Sequence, residues 1–198
     1  MLSRRTKNFF DIVAPVYEKF HFGALRTFNK IKSAVIIKTS DRVVDLGGGT
    51  GRIAKFFAGK VSKVIVVDVS EEMINQCRKR HPEFSCVRAE AQNLPFADNS
   101  IDKVIIIDAF HHFQNQKLVV KEIKRVLHRN GKVIIEEFNP LTTFGKLVVV
   151  VEKFLLMHSV FHQPSSLADL FMRERFKVDL IDENKSSYYL IGEKGTSD

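Results

Sequence analysis

The sequence contains few of the residues that form disulfide and metal frameworks. It has two cysteines, Cys77 and Cys86, and no tryptophan in 198 residues. Two thiols cannot supply a disulfide framework, a four-cysteine zinc site or the three-cysteine iron–sulfur cluster of radical enzymes. We therefore expect both cysteines to pack inside the fold, and we expect a reducing, cytoplasmic location.

Long apolar runs are also missing. The most apolar stretch, Leu147–Phe161, is interrupted by Glu152 and Lys153 and is shorter than the roughly 20 residues that span a bilayer. The amino-terminal segment contains Asp11 and Pro15, where a signal peptide needs an unbroken apolar region. The sequence therefore predicts neither a membrane span nor a secretion signal.

Negative charge is the scarcer sign, with 23 Asp and Glu against 31 Lys and Arg and a net charge of +8. Such an excess raises nucleic acid and anionic lipid as partners. Five basic residues follow one face of a predicted helix: Lys117, Lys121, Lys124, Arg125 and His128. No aromatic residues are interleaved for stacking on bases, so a solvated helix face is the favoured interpretation and nucleic acid is not the expected partner.

Short β-branched segments alternate with segments of helical period. The strand-like segments are Arg42–Leu46, Lys63–Val69, Phe84–Arg88, Asp102–Asp108 and Lys132–Phe138, and the helical ones are Arg52–Ala58, Glu71–Arg80 and Gln116–Leu127. Strands that are apolar on both faces are typical of parallel sheets covered by helices on both sides. Two final strands, Arg175–Asp182 and Ser186–Glu193, predict a hairpin. The expected class is α/β, a Rossmann-like, doubly wound, seven-stranded sheet that is mostly parallel with an antiparallel last strand.

The most informative stretch is the glycine-rich segment after the first predicted strand. It reads Asp45-Leu46-Gly47-Gly48-Gly49-Thr50-Gly51. Glycines at a strand-to-helix turn permit positive φ and let a ligand approach the backbone, and the N–H groups at the helix start favour a negatively charged group. The dinucleotide-binding pattern needs a glycine where this chain has Arg52, and the phosphate-binding P-loop pattern is absent. The segment therefore indicates a nucleotide-type ligand of another kind.

The acid-x-G-x-G-x-G form of this loop resembles the loop of class I S-adenosylmethionine-dependent methyltransferases. Asp68 ends the next strand, where a carboxylate can accept hydrogen bonds from both hydroxyls of a ribose. Capping of the following helix is the alternative role for Asp68. The opening segment Phe10–Tyr17 resembles the branch of the family that contains ubiquinone and menaquinone methyltransferases.

The resemblance implies S-adenosylmethionine as the cofactor and S-adenosylhomocysteine as the product. Glu90 and Ala91 match the pair that contacts the adenine amino group, with Glu in place of the more usual Asp, and Asp108 matches a position beside the methionine end. Leu127–Lys132 matches a structural turn in which Asn130 replaces the usual Gly. The cofactor-binding residues that the resemblance implies are Asp45, Gly47, Gly48, Gly49, Gly51, Asp68, Val69, Glu90, Ala91, Asp108 and Tyr17.

Two histidines, His111 and His112, follow the fourth predicted strand. Either is a candidate catalytic base, because imidazole accepts a proton near neutral pH. Positioning alone can supply much of the acceleration, since the sulfonium leaving group is already activated, so packing is the alternative role for the pair. A metal site is not expected, because we find no third ligand at usable spacing.

The predicted function is methyl transfer to a small-molecule acceptor, and a lipophilic acceptor is one of the alternatives that the sequence leaves open. Leu147–Phe161 is apolar nearly all round and lies where the resembling family varies its substrate pocket, so a lid is one interpretation. Burial in the domain or contact in a homodimer is the other. The strand-four motifs of base-methylating enzymes are absent. An RNA or protein methyltransferase of the same fold, and a cofactor-binding protein without catalysis, are the alternatives.

The length suits one domain. We divide residues 1–198 into an N-terminal helical layer (1–40), a cofactor-binding core (41–138), a substrate-lid insertion (139–173) and a terminal hairpin (174–198). The N-terminal layer is predicted from an apolar helical stripe formed by Leu25, Phe28, Ile31, Ala34 and Val35.

Overall fold

Seven strands form one sheet in the computed structural model, which describes residues 23–154, 159–182 and 185–195. The strands are β1 Arg42–Leu46, β2 Lys63–Asp68, β3 Ser85–Arg88, β4 Ile101–Ile107, β5 Leu127–Phe138, β6 Phe176–Ile181 and β7 Ser187–Lys194. Their order across the sheet is β3-β2-β1-β4-β5-β7-β6. The first five strands run parallel, which confirms the predicted fold class.

The strand order reverses at β1, and this reversal positions the site. Val44 of β1 pairs with Ile65 of β2 on one side and with Val104 of β4 on the other, and all three side chains are buried. Chain connections leave β1 and β4 in opposite directions at such a point, so a crevice opens beyond the carboxyl ends of these strands.

The antiparallel part of the sheet is a hairpin inserted at one edge. β7 lies between β5 and β6 and runs antiparallel to both. The last strand in the sequence is therefore an inner strand of the sheet, while β6 forms the edge.

The helices are α1 Ala24–Ala34, α2 Glu71–Arg80, α3 Gln116–Val126, α4 Thr143–Phe154 and α5 Pro164–Arg173. Two of them begin at a polar cap, because Ser70 accepts a hydrogen bond from the Met73 N–H and Asn115 accepts one from the Leu118 N–H. Buried residues form one apolar layer that includes Val44 and another that includes Val43. Both faces of the sheet are therefore covered, as predicted.

The segment after the glycine loop differs from the prediction. An α-helix was expected over Arg52–Ala58, whereas the structure has a short 3₁₀ helix, Ala54–Phe57. The N–H of Ala54 donates to the Asp45 carboxylate at 3.2 Å instead of to the carbonyl four residues earlier. This local competition for an N–H group shortens the helix.

The strand β5 begins earlier than predicted. It starts at Leu127 instead of Lys132, and the pairing with β4 changes register between Ile101 and Lys103. Asn130 adopts a left-handed φ of 61°, a conformation that Asn tolerates better than most residues. The predicted turn therefore lies inside an irregular strand.

The apolar segment Leu147–Phe161 is not one helix. Helix α4 begins at Thr143, and residues 159–161 are not helical, while residues 155–158 lie outside the described residues. Gly145 is the buried residue of α4 among those described. Five apolar side chains of the helix are exposed: Phe144, Leu147, Val150, Val151 and Phe154.

Helix α1 forms the described part of the N-terminal layer. Phe28 and Ile31 are buried, and the Phe28 ring packs against the rings of Phe56 and Phe57. Leu25 is 57% exposed, so its assignment to the apolar stripe was wrong. Tyr17 lies outside the described residues, so its predicted position over the cofactor has no structural counterpart here.

Within the described ranges, every helix is too short or too polar to cross a bilayer.

Candidate functional site

A cleft opens at the carboxyl ends of β1, β2 and β4, where the strand order reverses. The cleft is partly open to solvent. The predicted cofactor residues that line it are Asp45, Gly47, Gly48, Gly49, Asp68, Val69, Glu90, Ala91 and Asp108. The sheet thus brings together residues from four separate segments of the sequence.

The glycine loop lies against the end of β4. The N–H groups of Gly47 and Gly48 both donate to the Val67 carbonyl, at 2.8 and 3.2 Å. Gly47 has a φ of +74°, and a Cβ there would lie 2.7 Å from the Cβ of Ala109. Gly47 is therefore required twice, for its backbone conformation and for the close approach of two strand ends.

Asp45 is buried beneath the loop. Its carboxylate accepts the Ala54 N–H, and a Cβ on Gly48 would lie 2.6 Å from its Cγ. Burial raises the pKa of Asp45 to about 7, while the positive charge of Arg52 opposes the shift. The carboxylate thus has a local role, which is to fix the loop against the first helical turn.

Asp68 stands at the end of β2 and holds two backbone groups. Its carboxylate accepts the Gly49 N–H at 3.0 Å and the Ser70 N–H at 2.8 Å. Ser70, not Asp68, caps helix α2. These two bonds fix the carboxylate at the edge of the cleft.

The adenine-side residues predicted from the sequence lie in a turn after β3. The Gln92 side chain donates to the Glu90 carboxylate at 2.9 Å. The backbones of Glu90 and Asn93 form an isolated antiparallel β-bridge. Arg125 fixes the following segment, because its guanidinium donates to the carbonyls of Leu94 and Phe96. Arg125 therefore has a structural role, which removes it from the basic face considered as a binding surface.

Gly51 does not line the cleft. It has a φ of +84°, and a Cβ there would lie 3.1 Å from the His81 ring and 3.4 Å from the Cys77 sulfur. Its role in the structure is packing, in the layer that contains Cys77. Both cysteines are free thiols, and Cys77 is fully buried, in agreement with the packing role expected for it.

Asp108 follows β4 in a strained conformation and faces an arginine. Its φ is 52°, which is uncommon for a residue with a side chain. Arg52 is buried and lies 3.8 Å from the Asp108 carboxylate. Burial, and then the charges of Glu136 and Glu137, raise the pKa of Asp108 to about 7. In the sequence, Arg52 only excludes a dinucleotide site. Its position in the wall of the cleft was not predicted.

The two histidines occupy different positions. His112 lines the cleft, whereas His111 is 2% exposed and lies behind it. His111 Nδ1 lies 2.6 Å from the Glu137 carboxylate, and its ring stacks on Phe161. His112 Nδ1 lies 3.0 Å from the Ser159 hydroxyl. Of the two candidate bases, His112 is thus the one that faces the ligand space.

Charge separates the two histidines further. Burial alone would lower the pKa of His111, but the carboxylates of Glu137 and Glu152 raise it to about 10. Burial and then the positive charge of His111 lower the pKa of His112 to about 3. His112 is therefore neutral at physiological pH and a weak base, which favours positioning over proton removal as its role.

A third ligand-type side chain stands beside the histidines, contrary to the sequence analysis. Glu152 of α4 places Oε1 at 3.3 Å from His111 Nε2 and Oε2 at 3.9 Å from His112 Nδ1. The separation of 40 positions between Glu152 and His112 gives no local signal, so the packing of α4 reveals the contact. None of the described residues of α4 lines the cleft itself.

Comparison with known proteins gives consistent results. A protein-family model described as a methyltransferase domain matches residues 44–135. A demethylmenaquinone methyltransferase of Renibacterium salmoninarum is 31% identical over 152 residues, which are 74% of this chain and 64% of the relative. The chain spans 40–64% of the length of the first four curated relatives that it matches.

Two solved structures resemble the whole fold. The protein bound to the Trm112 methyltransferase activator in a Haloferax volcanii complex has a TM-score of 0.81 at 16% identity, with 94% of this chain and 97% of that one covered. An S-adenosylmethionine-dependent methyltransferase of Thermotoga maritima has a TM-score of 0.78 at 21% identity, with 93% and 98% covered. At these identities the likeness concerns the fold.

Proposed function

We propose that this chain is a class I S-adenosylmethionine-dependent methyltransferase that transfers a methyl group from that cofactor to a small, lipophilic acceptor. The observation that carries the proposal is the convergence of a glycine loop and four strand-end carboxylates in one cleft at the reversal of strand order. When bound, S-adenosylmethionine supplies a methyl group on a positively charged sulfur.

The cleft fits this cofactor in shape. The backbone of Gly47 and Gly49 has positive φ values of 74° and 55°, so the loop presents no side chain toward the open space. An alanine in the loop would meet Ala109 or the Asp45 carboxylate. The loop therefore allows the cofactor to lie close to the main chain.

The donor and acceptor groups of the cleft also fit. We assign the ribose hydroxyls to Asp68 with Val69 beside them, the adenine amino group to Glu90 with Ala91, and the methionine end to Asp108. A carboxylate accepts hydrogen bonds from hydroxyl, amino and ammonium groups. Asp45 and Gly48 support the loop from below, and we retain Tyr17 as a residue that covers the cofactor from the N-terminal segment.

The chain's own contribution to the reaction is orientation. The side chains of Arg52 and Asp108 lie 3.8 Å apart on the side of the cleft that we assign to the methionine end. His112 and Phe113 line the adjacent side. Side chains fixed in this way can hold the methyl donor and the acceptor in line. Such positioning can lower the activation barrier by about 7–11 kcal/mol in favourable systems. We assign His112 an orienting role, in keeping with its lowered pKa.

The lipophilic acceptor is supported by three observations. The relative reported above is named a demethylmenaquinone methyltransferase, and its acceptor class is apolar. Ala109 and Phe113 give the His112 side of the cleft an apolar lining. The insertion 139–173 carries exposed apolar side chains on α4, which fits a lid beside an apolar acceptor.

An RNA or protein acceptor is the second candidate. The net charge of +8 favours it, but Arg125 of the basic face is engaged in the fold. A protein that binds the cofactor without catalysis is the third candidate.

One experiment separates these candidates. The full chain is incubated with S-adenosylmethionine, and release of S-adenosylhomocysteine is measured with lipophilic hydroquinones in detergent micelles, with total RNA and with unfolded protein. We expect release with the hydroquinones. Release with RNA or protein alone would overturn the acceptor class, and calorimetric cofactor binding without release in any arm would favour the non-catalytic protein. Heat of binding from NAD and none from S-adenosylmethionine would overturn the whole proposal.

A further inference from the structure

The buried cluster behind the cleft contains three side chains that commonly bind metal ions. One ligand atom from each of His111, His112 and Glu152 lies within 4.8 Å of the other two. His111 and His112 are buried and Glu152 is partly buried. The histidines belong to the segment after β4 and the glutamate to α4, so the cluster connects two elements that are distant in the sequence.

Two buried atoms of this cluster lack the hydrogen bonds that buried polar atoms normally make. His111 Nε2 and Glu152 Oε2 have no hydrogen-bond partner among the residues that the structure describes. Leaving a buried polar atom unsatisfied is unfavourable. Both atoms belong to one small cluster, so a single ion bound there would satisfy both.

Glu137 gives His111 the arrangement of a metal ligand. Its carboxylate lies 2.6 Å from His111 Nδ1 and also accepts the backbone N–H groups of Phe110 and His111. A carboxylate that accepts the Nδ1–H fixes the tautomer in which Nε2 carries a lone pair. In that tautomer the lone pair faces the Glu152 carboxylate at 3.3 Å, so either a proton on Nε2 or a metal ion lies between the two groups.

We propose that His111, His112 and Glu152 bind a divalent transition-metal ion of the Zn²⁺ class. Two ligand atoms about 2.0–2.1 Å from a tetrahedral ion lie about 3.3–3.4 Å apart, and the His111 Nε2 to Glu152 Oε1 distance is 3.3 Å. The distance between His112 Nδ1 and Glu152 Oε2 is 3.9 Å, so metal binding requires a rotation that replaces the contact of Nδ1 with the Ser159 hydroxyl. Two imidazoles and one carboxylate favour zinc-like ions over Mg²⁺ and Ca²⁺, which prefer oxygen ligands.

The charge around the cluster favours a cation. The negative charges of Glu137 and Glu152 act on His111. The negative charges of Glu136 and Glu137 act on Asp108, as do the positive charges of Arg52 and His111. Carboxylates therefore outnumber fixed cations in this buried region. A divalent ion bound through the two histidines would offset that excess.

The position of the ion relates to the cleft. His112 lines the cleft, and three protein ligands leave a tetrahedral ion with one open coordination position. His112 is thus the ligand through which the ion would adjoin the side of the cleft where we place the acceptor. This last step rests on the proposed function, whereas the metal site itself does not.

The test uses the full, untagged chain, because a polyhistidine tag binds the same ions. The chain is treated with a chelator, dialysed and titrated with Co²⁺ and Zn²⁺ in the absence of cofactor and acceptor. We expect one ion per chain and a visible Co²⁺ absorption band typical of a four-coordinate site. Glu152→Gln should weaken binding about 100-fold or more, and Glu137→Gln, which alters only the support of His111, about 10–100-fold.

The matched control is Glu83→Gln. Glu83 lies 3.6 Å from His81 and is 54% exposed, so the variant removes a carboxylate from a histidine–glutamate pair outside the cluster. Its ion binding should equal that of the wild type. His112→Asn gives a second ligand variant if Glu152→Gln fails to fold, as judged by circular dichroism.

Two results would overturn the inference: no stoichiometric ion in the wild type, which would leave a proton as the cation between His111 and Glu152, or equal binding by Glu152→Gln and the wild type. Calorimetry of S-adenosylmethionine binding, carried out on the metal-free chain, reports on the proposed function separately. Loss of cofactor binding with ion binding intact would contradict that function and leave the metal site standing.

Discussion

The two ends of the cleft are constructed in different ways. At the β1–β2 end the ligand space is enclosed by backbone, namely the glycine loop and the carbonyl of Val67, and the Asp68 carboxylate there is bonded to N–H groups. At the β4 end the walls are side chains from distant segments, and carboxylates from β5 and α4 surround His111. One end depends on local conformation and the other on long-range packing.

This difference determines what each end tolerates. Backbone geometry changes little with ionic conditions, so pH should act on the β1–β2 end chiefly through Asp45, whose buried carboxyl has a pKa raised to about 7. The β4 end contains buried carboxylates and histidines in mutual contact, and its energy depends on where protons and other cations are bound. The common cofactor chemistry of the family is assigned to the first end, and the acceptor to the second.

The largest expected effect comes from breaking the His111–Glu137 pair at the β4 end. In the presence of a chelator, Glu137→Gln should lower the free energy of unfolding by about 3–5 kcal/mol, because it leaves a buried imidazolium without its closest carboxylate. Urea denaturation measures this change. The control is Glu136→Gln on the same strand, whose carboxylate bonds to the hydroxyls of Thr27 and Tyr189, and we expect about 1 kcal/mol there.

The pH dependence of the His111–Glu137 pair follows from the direction in which the pKa of His111 is shifted. The pKa of His111 is raised from 6.5 to about 10 on folding, so the stabilisation is fully present below pH 6.5 and is lost as the pH rises toward 10. The wild type should lose stability over that range, and Glu137→Gln should show a flatter profile. Parallel profiles, or equal losses in the two glutamine variants, would contradict the assignment of the charge to His111.

The sequence predicted the β1–β2 end well, since its structure follows from neighbouring residues. The bounds of β1 agree with the prediction at both ends, and the glycine loop and Asp68 lie at the cleft as expected. The failures at this end are also local. Gly51, two residues after Gly49, lies next to Cys77 and does not line the cleft. The helix after it is short because the Ala54 N–H donates to the Asp45 carboxylate.

The β4 end could be predicted in part only. The sequence placed His111 and His112 after a strand, but the identity of their partners depends on how the insertion folds back. Glu152 was noted as an interruption of an apolar run, and no spacing rule relates it to His111. The change from α4 to the non-helical residues 159–161 has no signal in apolar content, because Val160 and Phe161 are as apolar as Val150 and Val151.

A smaller effect is expected from Asp68 at the backbone end. Asp68→Ala should weaken S-adenosylmethionine binding by about 2–4 kcal/mol, because the ribose hydroxyls lose a charged acceptor and the Gly49 N–H loses its partner. Calorimetry at pH 6 and pH 9 measures the affinity, and we expect the same loss at both. Glu71→Ala, which removes a half-exposed carboxylate on the following helix, is the control. Wild-type affinity in Asp68→Ala would contradict the ribose assignment, and Asp68→Asn tests it again if the alanine variant unfolds.

The smallest expected difference, between two glycine-to-alanine variants, separates two reasons for glycine at the backbone end. Gly47 and Gly59 have nearly the same positive φ, 74° and 70°, but a Cβ on Gly47 would lie 2.7 Å from Ala109 Cβ, whereas one on Gly59 would have nothing within 4 Å. A left-handed conformation costs an alanine about 1–2 kcal/mol. Gly59→Ala should therefore lower the free energy of unfolding by about that amount and leave cofactor affinity unchanged. Gly47→Ala carries the same conformational cost together with displacement of the β4 end, so it should lose about 1–3 kcal/mol more and also weaken cofactor binding. Denaturation and calorimetry on the two variants decide the matter, since equal losses would mean that the strand ends can separate freely and that the loop is held by conformation alone.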